Sequence, residues 1–145
     1  MKIVLLESLA ISENKLDEFR SKLEEKGHEF KAYDKRVEED EKIIERAKGA
    51  DVIIITNLPI SKNVINSLPD LKMISVAFTG VDHIDLDACQ ENDIVVSNAP
   101  GYSTHSVAEL AIGLMGNVMR NMNKCDVAVR NSKTRSGLIG NEIYG

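Results

Sequence analysis

The feature that most constrains the fold is the alternation of short apolar runs with amphipathic stretches. The clearest run is 51–56 (DVIIIT), whose centre is wholly apolar and β-branched, as in a strand covered on both faces. Between such runs, apolar residues recur at helical spacing with charges on the other face. Strands that alternate with helices predict βαβ units and a parallel sheet. The predicted strands are 2–7, 29–33, 51–56, 72–78 and 93–98.

The predicted connections between these strands are helical, and one longer helix follows the last strand. Crossovers between parallel strands are almost always right-handed, which limits the possible topologies. For five strands we expect a flavodoxin-like, doubly wound α/β fold with strand order 2-1-3-4-5. The predicted helices are 13–26, 38–48, 61–68, 85–92 and 106–122.

The last and longest predicted helix runs from Ser106 to Met122. Ser106 and Glu109 match a capping box, which predicts that the helix starts at Ser106. Gly113 and Gly116 lie inside it, although each costs up to about 1 kcal/mol relative to Ala. These glycines form a smooth surface that another element can approach closely. Packing within the same chain, contact with a second subunit and contact with a further domain each account for that surface.

Charge and cysteine content exclude several classes of function. The net charge of −5 disfavours nucleic acid and an anionic membrane surface as partners. The longest apolar runs are too short for a membrane span or a signal peptide. Cys89 and Cys125 have no metal-binding or redox spacing, and none of His28, His83 and His105 has ligands at zinc-binding spacing. We therefore expect a reduced, cytoplasmic protein without a metal site or a membrane or nucleic-acid partner.

A candidate binding turn follows the fourth predicted strand. Phe78, Thr79 and Gly80 come directly after it, and ligands of open parallel sheets bind beyond the carboxyl ends of the strands. Gly80 permits a positive φ or the close approach of a ligand to the backbone. Successive N–H groups in such a turn suit a carboxylate or phosphate oxygen. A tight βα turn without any ligand is the alternative interpretation.

A second candidate loop follows the fifth predicted strand. Residues 98–102 read Asn-Ala-Pro-Gly-Tyr, in which Pro and Gly set a turn. Tyr102 is then placed to direct its hydroxyl into a cleft beside the preceding turn, or to lie on the surface as an ordinary loop residue. The two loops follow neighbouring strands, so they are expected side by side at the C-terminal end of the sheet.

Three segments of the chain resemble one family. VAFTGVDHIDLDAC, IVVSNAPGYSTHSVAELAIGLM and GNEIYG occur in the order and spacing of the D-isomer-specific 2-hydroxyacid dehydrogenases. The resemblance implies a two-domain enzyme that transfers a hydride between NAD(H) and a 2-oxo or D-2-hydroxy acid. It implies that backbone amides of Phe78, Thr79 and Gly80 bind the substrate carboxylate and that Thr79 also lies near the nicotinamide. It further implies that Tyr102 borders the substrate.

The resemblance also predicts how the chain is divided. Residues 1–104 match the family's flavodoxin-like substrate domain, 105–122 its interdomain and dimerisation helix, and 123–145 a connector into an NAD-binding domain. The 145 residues contain no G-x-G-x-x-G motif and no match to the family's catalytic Arg, Glu and His. We therefore expect the substrate-domain portion of a dehydrogenase, without catalytic residues or tightly bound NAD and inactive alone. Absence of the family's C-terminal helix should leave an apolar patch bare.

Two points stay open at the level of sequence. The chain also fits a standalone carboxylate-binding or dimerisation module without catalysis. A homodimer through the Ser106–Met122 helix is expected, and that helix either packs on its own sheet or swaps onto a second copy. The residues favour no particular 2-hydroxy acid and do not distinguish NAD from NADP.

Overall fold

The structure is a computed structural model that describes residues 1–134, 136–142 and 144. It divides into two compact units, residues 1–100 and residues 101–145. The first unit contains the whole sheet, and the second contains the two last helices.

The first unit is a five-stranded, all-parallel sheet in the order β2-β1-β3-β4-β5, which confirms the predicted topology. Each strand is shorter than its apolar run because the last residues of the run turn into the following loop. The elements are β1 (Lys2–Leu5), α1 (Glu13–Glu24), β2 (Glu29–Ala32), α2 (Asp40–Ala47), β3 (Val52–Ile55), α3 (Lys62–Asn66), β4 (Met73–Val76), α4 (Leu86–Glu91) and β5 (Val95–Ser97).

The main core lies between the sheet and helices α2, α3 and α4. These helices are neighbours, and right-handed crossovers place them on the face opposite α1. Alternate strand residues point into this layer, and they are almost completely buried. Side chains of the three helices close it, so burial of apolar surface holds the strand ends in fixed positions. Members of this core include Val4, Leu6, Ile43, Ile53, Ile55, Ile65, Ile74 and Val76.

The opposite face of the sheet is covered less completely. Helix α1 has no fully buried residue, and Phe19 is 42% exposed. A cavity of about 220 Å³ lies between α1 and the sheet, lined by apolar side chains such as Leu16, Phe30 and Ile54. Within residues 1–100, α1 is the one described helix on this face.

The second unit begins with α5 (Thr104–Arg120), whose start differs from the prediction. The N-cap position is Ser103, so the predicted start at Ser106 is wrong. Gly101 has a φ of 82°, and the chain reaches helical geometry directly after this turn. The N–H of Val107 donates to the Ser103 carbonyl at 2.9 Å. Ser106 therefore lies in the first turn and does not cap it.

A further helix, α6 (Met122–Arg130), starts at the residue predicted to end the long helix and otherwise lies inside the 123–145 segment predicted as a connector. Asn121, in the left-handed region with a φ of 51°, ends α5 and begins α6. An Asp126–Arg130 ion pair at 2.8 Å supports one exposed face of α6. Polar composition masked this helix in the sequence. Arg135, Ile143 and Gly145 of the predicted connector lie outside the described residues.

Candidate functional site

The C-terminal ends of β1, β3, β4 and β5 lie side by side at one end of the sheet. Parallel pairing aligns Ile55 of β3 with Val76 of β4, and the ladder continues as the Ala77 N–H donates to the Ile55 carbonyl at 2.8 Å. On the other side, the Leu6 N–H donates to the Ile54 carbonyl at 3.0 Å. The loops that follow these strands are consequently neighbours. Ligands of doubly wound sheets bind at this C-terminal end of the strands.

The loop after β3 is held by the carboxylate of Glu7, which is only 4% exposed. Its Oε1 atom accepts from the N–H and the hydroxyl of Thr56, both at 2.7 Å. The same atom accepts from the N–H groups of Asn57 at 3.0 Å and Leu58 at 2.9 Å. Three successive N–H groups thus surround one internal anion, an arrangement that binds small anions in many proteins. This loop is already occupied by the protein's own carboxylate.

Arg36 forms an ion pair with this buried carboxylate and so offsets its negative charge. Its Nη1 atom lies 3.3 Å from Glu7 Oε2, and its Nε atom donates to Glu38 at 2.9 Å. The guanidinium also donates to the side-chain oxygen of Asn57. Burial by itself would raise the pKa of Glu7. Hydrogen bonds from Thr56 and Leu58, with the charge of Arg36, outweigh burial and hold that pKa below its usual range.

The turn after β4 contains Phe78, Thr79 and Gly80, and the loop after β5 anchors it. The Ala99 N–H donates to the Phe78 carbonyl at 2.9 Å. Asn98 Nδ2 donates to the Thr79 carbonyl at 2.7 Å, and the Thr79 hydroxyl lies 3.5 Å from the Ala99 carbonyl. Among the described residues, the N–H groups of Thr79 and Gly80 donate no hydrogen bond. They are therefore available to an external acceptor.

The segment that follows this turn is hydrogen-bonded to the loop after β3. Ile60 and Ile84 form an isolated parallel bridge, in which the Ile60 N–H donates to the His83 carbonyl at 2.9 Å. The Asp85 N–H donates back to the Ile60 carbonyl at 3.1 Å. Gly80 does not have a positive φ, so of the two reasons predicted for a glycine there the left-handed backbone is not observed. A Cβ atom at this position would lie 2.9 Å from Asp82 Oδ1, so a side chain there would displace Asp82.

The predicted site residues are divided between the two units. Phe78, Thr79 and Gly80 lie together in the first unit, where Phe78 is 42% exposed. Tyr102 belongs to the second unit, where its side chain is 63% exposed. The sequence predicts Asn98 only as part of a loop and does not indicate its hydrogen bond to the Thr79 carbonyl.

Glu7 was also missed as a structural residue. One signal was available, since Glu7 directly follows an apolar strand and an acidic residue at such a place is seldom left buried without partners. Its partners lie about fifty residues away in the chain, so their identity required the sheet order and register.

The fold is a doubly wound α/β domain in which the N–H groups of Thr79 and Gly80, at the C-terminal ends of the strands, have no described acceptor. Residues 3–139 match the family described as D-isomer specific 2-hydroxyacid dehydrogenase, catalytic domain, and the chain belongs to this family. The resemblance inferred from the three sequence segments is thereby confirmed. Enzymes of this family act on 2-hydroxy acids and bind NAD.

Individual relatives agree with this assignment. D-3-phosphoglycerate dehydrogenase of Methanocaldococcus jannaschii is 37% identical over 107 residues, which are 72% of this chain and 20% of the relative. An acyclic imino acid reductase in complex with NADPH and D-Arg has a TM-score of 0.82 at 27% identity, covering 99% of this chain and 46% of that one. The NAD⁺-bound 3-phosphoglycerate dehydrogenase of Entamoeba histolytica has a TM-score of 0.71 at 38% identity, covering 83% and 39%.

The chain therefore spans less than half the length of these relatives. Its 145 residues contain no G-x-G-x-x-G motif, the pattern that binds the pyrophosphate of NAD in doubly wound domains. In the described part of the chain, no three His, Cys, Asp or Glu side chains are grouped as a metal site. No described helix combines the length and the apolarity that a bilayer span requires.

Proposed function

We propose that this chain is the substrate-binding part of an NAD-dependent D-2-hydroxyacid dehydrogenase. The N–H groups of Thr79 and Gly80 bind the carboxylate of a 2-oxo or 2-hydroxy acid, and Phe78 and Tyr102 border the rest of the substrate. One observation carries the proposal. The loop after β3 and the turn after β4 are neighbours. Glu7 accepts from the N–H groups of residues 56–58 in the loop, whereas no described residue accepts from the N–H groups of Thr79 and Gly80 in the turn.

The contribution of this chain to the reaction is positioning. Binding the carboxylate at two backbone donors fixes C2 of the substrate and lowers the entropic barrier to reaction. When bound in the complete enzyme, NAD supplies or accepts the hydride. In that complete enzyme, Thr79 would be the residue of this chain that contacts the nicotinamide. The group that polarises the substrate carbonyl and the group that transfers the proton come from residues that this chain does not contain, so the chain alone is inactive.

The proposal includes a homodimer in which α5 forms the interface. The side chains of its apolar stripe are each more than half exposed, although each is large enough to contribute substantially to an interface. The stripe consists of Val107, Leu110, Leu114 and Val118, and Met122, predicted as its last member, belongs to α6. Exchange of the helix between two copies gives the same contacts and belongs to the same proposal. A cytoplasmic location is also proposed, supported by two unpaired cysteines.

An amide-resolved NMR titration tests the carboxylate site. We expect pyruvate to shift the amide signals of Thr79 and Gly80, and we expect pyruvamide, which has the same shape without the charge, to leave them unchanged. NADH is titrated separately and is expected to cause no localised shift. Shifts elsewhere in the sheet, or none at these two amides at saturating pyruvate, would overturn the assignment. Oxidation of NADH by this chain with any 2-oxo acid would contradict the positioning role.

A further inference from the structure

The loop after β5 controls the direction of the donors in the turn after β4. We infer that Asn98 is a positioning residue for the carboxylate site, because its side-chain amide holds the Thr79 carbonyl and so directs the Gly80 N–H toward the ligand. The inference rests on the proposed function, in which that N–H binds the substrate carboxylate. The contact on which it depends is the 2.7 Å hydrogen bond from Asn98 Nδ2 to the Thr79 carbonyl.

The argument follows from peptide geometry. A trans peptide is planar, and its C=O and N–H groups point in opposite directions; the described chain contains no cis peptide. The Thr79 carbonyl and the Gly80 N–H belong to the same peptide. Holding the carbonyl against Asn98 therefore turns the Gly80 N–H to the opposite side, away from the β5 loop.

The preceding peptide is held in the same way. The Phe78 carbonyl accepts from the Ala99 N–H at 2.9 Å, which turns the Thr79 N–H away from the β5 loop as well. In an extended strand, successive carbonyls point to alternate sides and cannot both face one neighbour. Here both face residues 98–99, so both N–H groups lie on the ligand side. Two parallel donors at adjacent residues suit the two oxygens of one carboxylate.

A side chain is needed for the second of these bonds because the β-ladder has ended. The last paired residues of β4 and β5 are Ser75 and Ser97. The Ala99 N–H is already used by the Phe78 carbonyl. The amide of Asn98 supplies the missing N–H donor, and an aspartate of the same shape offers none when ionised. The amide nitrogen is assigned to the Thr79 side because a carbonyl oxygen accepts and cannot donate.

The size of the effect follows from the strength of one exposed hydrogen bond. Loss of the Asn98 donor leaves the fold intact, because Asn98 is exposed and water can satisfy the Thr79 carbonyl. The Thr79–Gly80 peptide is then free to rotate, and the carboxylate must fix it on binding. A net contribution of about 1 kcal/mol corresponds to roughly a fivefold weaker affinity.

The test compares four proteins: the unaltered chain, Asn98→Leu, Asn98→Asp and Ser97→Asp. Residual dipolar couplings of the Gly80 N–H report the orientation of the peptide in the free protein, and pyruvate titration reports the affinity. We expect Asn98→Leu to change that coupling and to weaken pyruvate binding about fivefold. Ser97→Asp adds a charge one residue away without removing the donor, so it measures the electrostatic effect alone.

Protonation provides a rescue that a purely structural role does not predict. Below about pH 3 the carboxyl of Asn98→Asp is largely protonated and again has a donor. The Gly80 coupling of Asn98→Asp should then return toward the wild-type value, whereas that of Asn98→Leu should not change with pH. An unchanged Gly80 coupling in Asn98→Leu would overturn the inference whether or not pyruvate binds. A changed coupling without any pyruvate binding to the wild type would refute the proposed function and keep the positioning role of Asn98.

Discussion

Glu7 and Thr56 are joined twice through one atom, because Glu7 Oε1 accepts both the N–H and the hydroxyl of Thr56 at 2.7 Å. The end of β1 is thereby tied to the loop after β3, across 49 positions of the chain. This loop is bridged at Ile60 to the segment that follows the proposed carboxylate site. The buried carboxylate is therefore part of the frame that holds the site in place.

Glu7→Gln should lower the free energy of unfolding by about 2 kcal/mol. The amide keeps one acceptor oxygen, but it loses the charge that strengthens the bonds to the loop and that balances Arg36. Urea unfolding followed by circular dichroism measures the change. Glu38→Gln is the matched control, since Glu38 contacts the same arginine from an exposed position and should change stability by less than about 0.5 kcal/mol. Equal effects of the two substitutions would contradict a structural role for Glu7.

The same carboxylate should make stability depend on pH. The pKa of Glu7 in the folded protein lies below its ordinary value of 4.5. The unfolded chain therefore takes up the proton at higher pH than the folded protein, and acid favours unfolding. The contribution of Glu7 is complete above the unfolded pKa and is lost as pH falls through the lower, folded pKa. The stability difference between wild type and Glu7→Gln should be constant at neutral pH and should shrink in acid. A difference that grows in acid would contradict the lowered pKa.

The topology was predictable from the sequence because each strand carries its own signal. Runs such as 51–56 are apolar at every central position, and right-handed crossovers leave few ways to order five strands. The turn at Phe78–Gly80 was predictable for the same reason, since it follows a strong strand. Local sequence patterns gave the wrong result where a helix boundary depends on the conformation of the preceding residues. The capping box at Ser106 is a valid local pattern, yet the turn at Gly101 starts the helix earlier.

The anchoring of the site was beyond the reach of sequence reasoning. The bond from Asn98 to Thr79 joins residues 19 positions apart, and it exists only because β4 and β5 are adjacent in register. The four donors to Glu7 Oε1 likewise depend on how β1 aligns with β3. Composition also concealed α6, whose polar residues resemble those of a connector. Register and loop geometry, which set these contacts, are properties of the assembled sheet.

Gly80→Ala should separate ligand binding from folding. A Cβ atom at this position would lie 2.9 Å from Asp82 Oδ1, which is the end of a side chain that can rotate away. We expect a loss of stability below about 1 kcal/mol, because φ is not positive and no backbone atom is in the way. Pyruvate affinity should fall at least about tenfold, since the methyl group blocks approach to the N–H groups. Isothermal titration measures it.

The double variant Gly80→Ala/Asp82→Ala is the control for this substitution. It removes the close contact with Asp82 while it keeps the added methyl group. If the methyl group obstructs the ligand, the double variant binds pyruvate as weakly as the single one. Recovery of wild-type affinity would instead show that displacement of Asp82 caused the loss.

Gly140→Ala should disrupt the end of the second unit. A Cβ atom at Gly140 would overlap the backbone carbonyl of Met119, and the neighbouring Asn141 N–H donates to this carbonyl at 2.7 Å. The segment must move away from α5 and lose this hydrogen bond, so the amide signals of Met119 and Asn141 should shift strongly. Gly113→Ala is the matched control, because nothing lies within 4 Å of its Cβ and helix propensity rises. Equal shifts at Asn141 in both variants would contradict this packing.

Leu114→Glu should dissociate the proposed homodimer. Leu114 lies in the middle of the apolar stripe of α5 and is already 53% exposed, so a charge there should leave the fold of the chain intact. In the dimer the charge would be buried against an apolar partner surface, which should raise the dissociation constant at least about tenfold. Sedimentation equilibrium measures the change. Ile112→Glu is the matched control, since Ile112 is also exposed but lies well away from the stripe around the helix. If Ile112→Glu dissociated the dimer and Leu114→Glu did not, the interface would lie on the face that carries Gly113 and Gly116. That result would refute the stripe as the dimer interface.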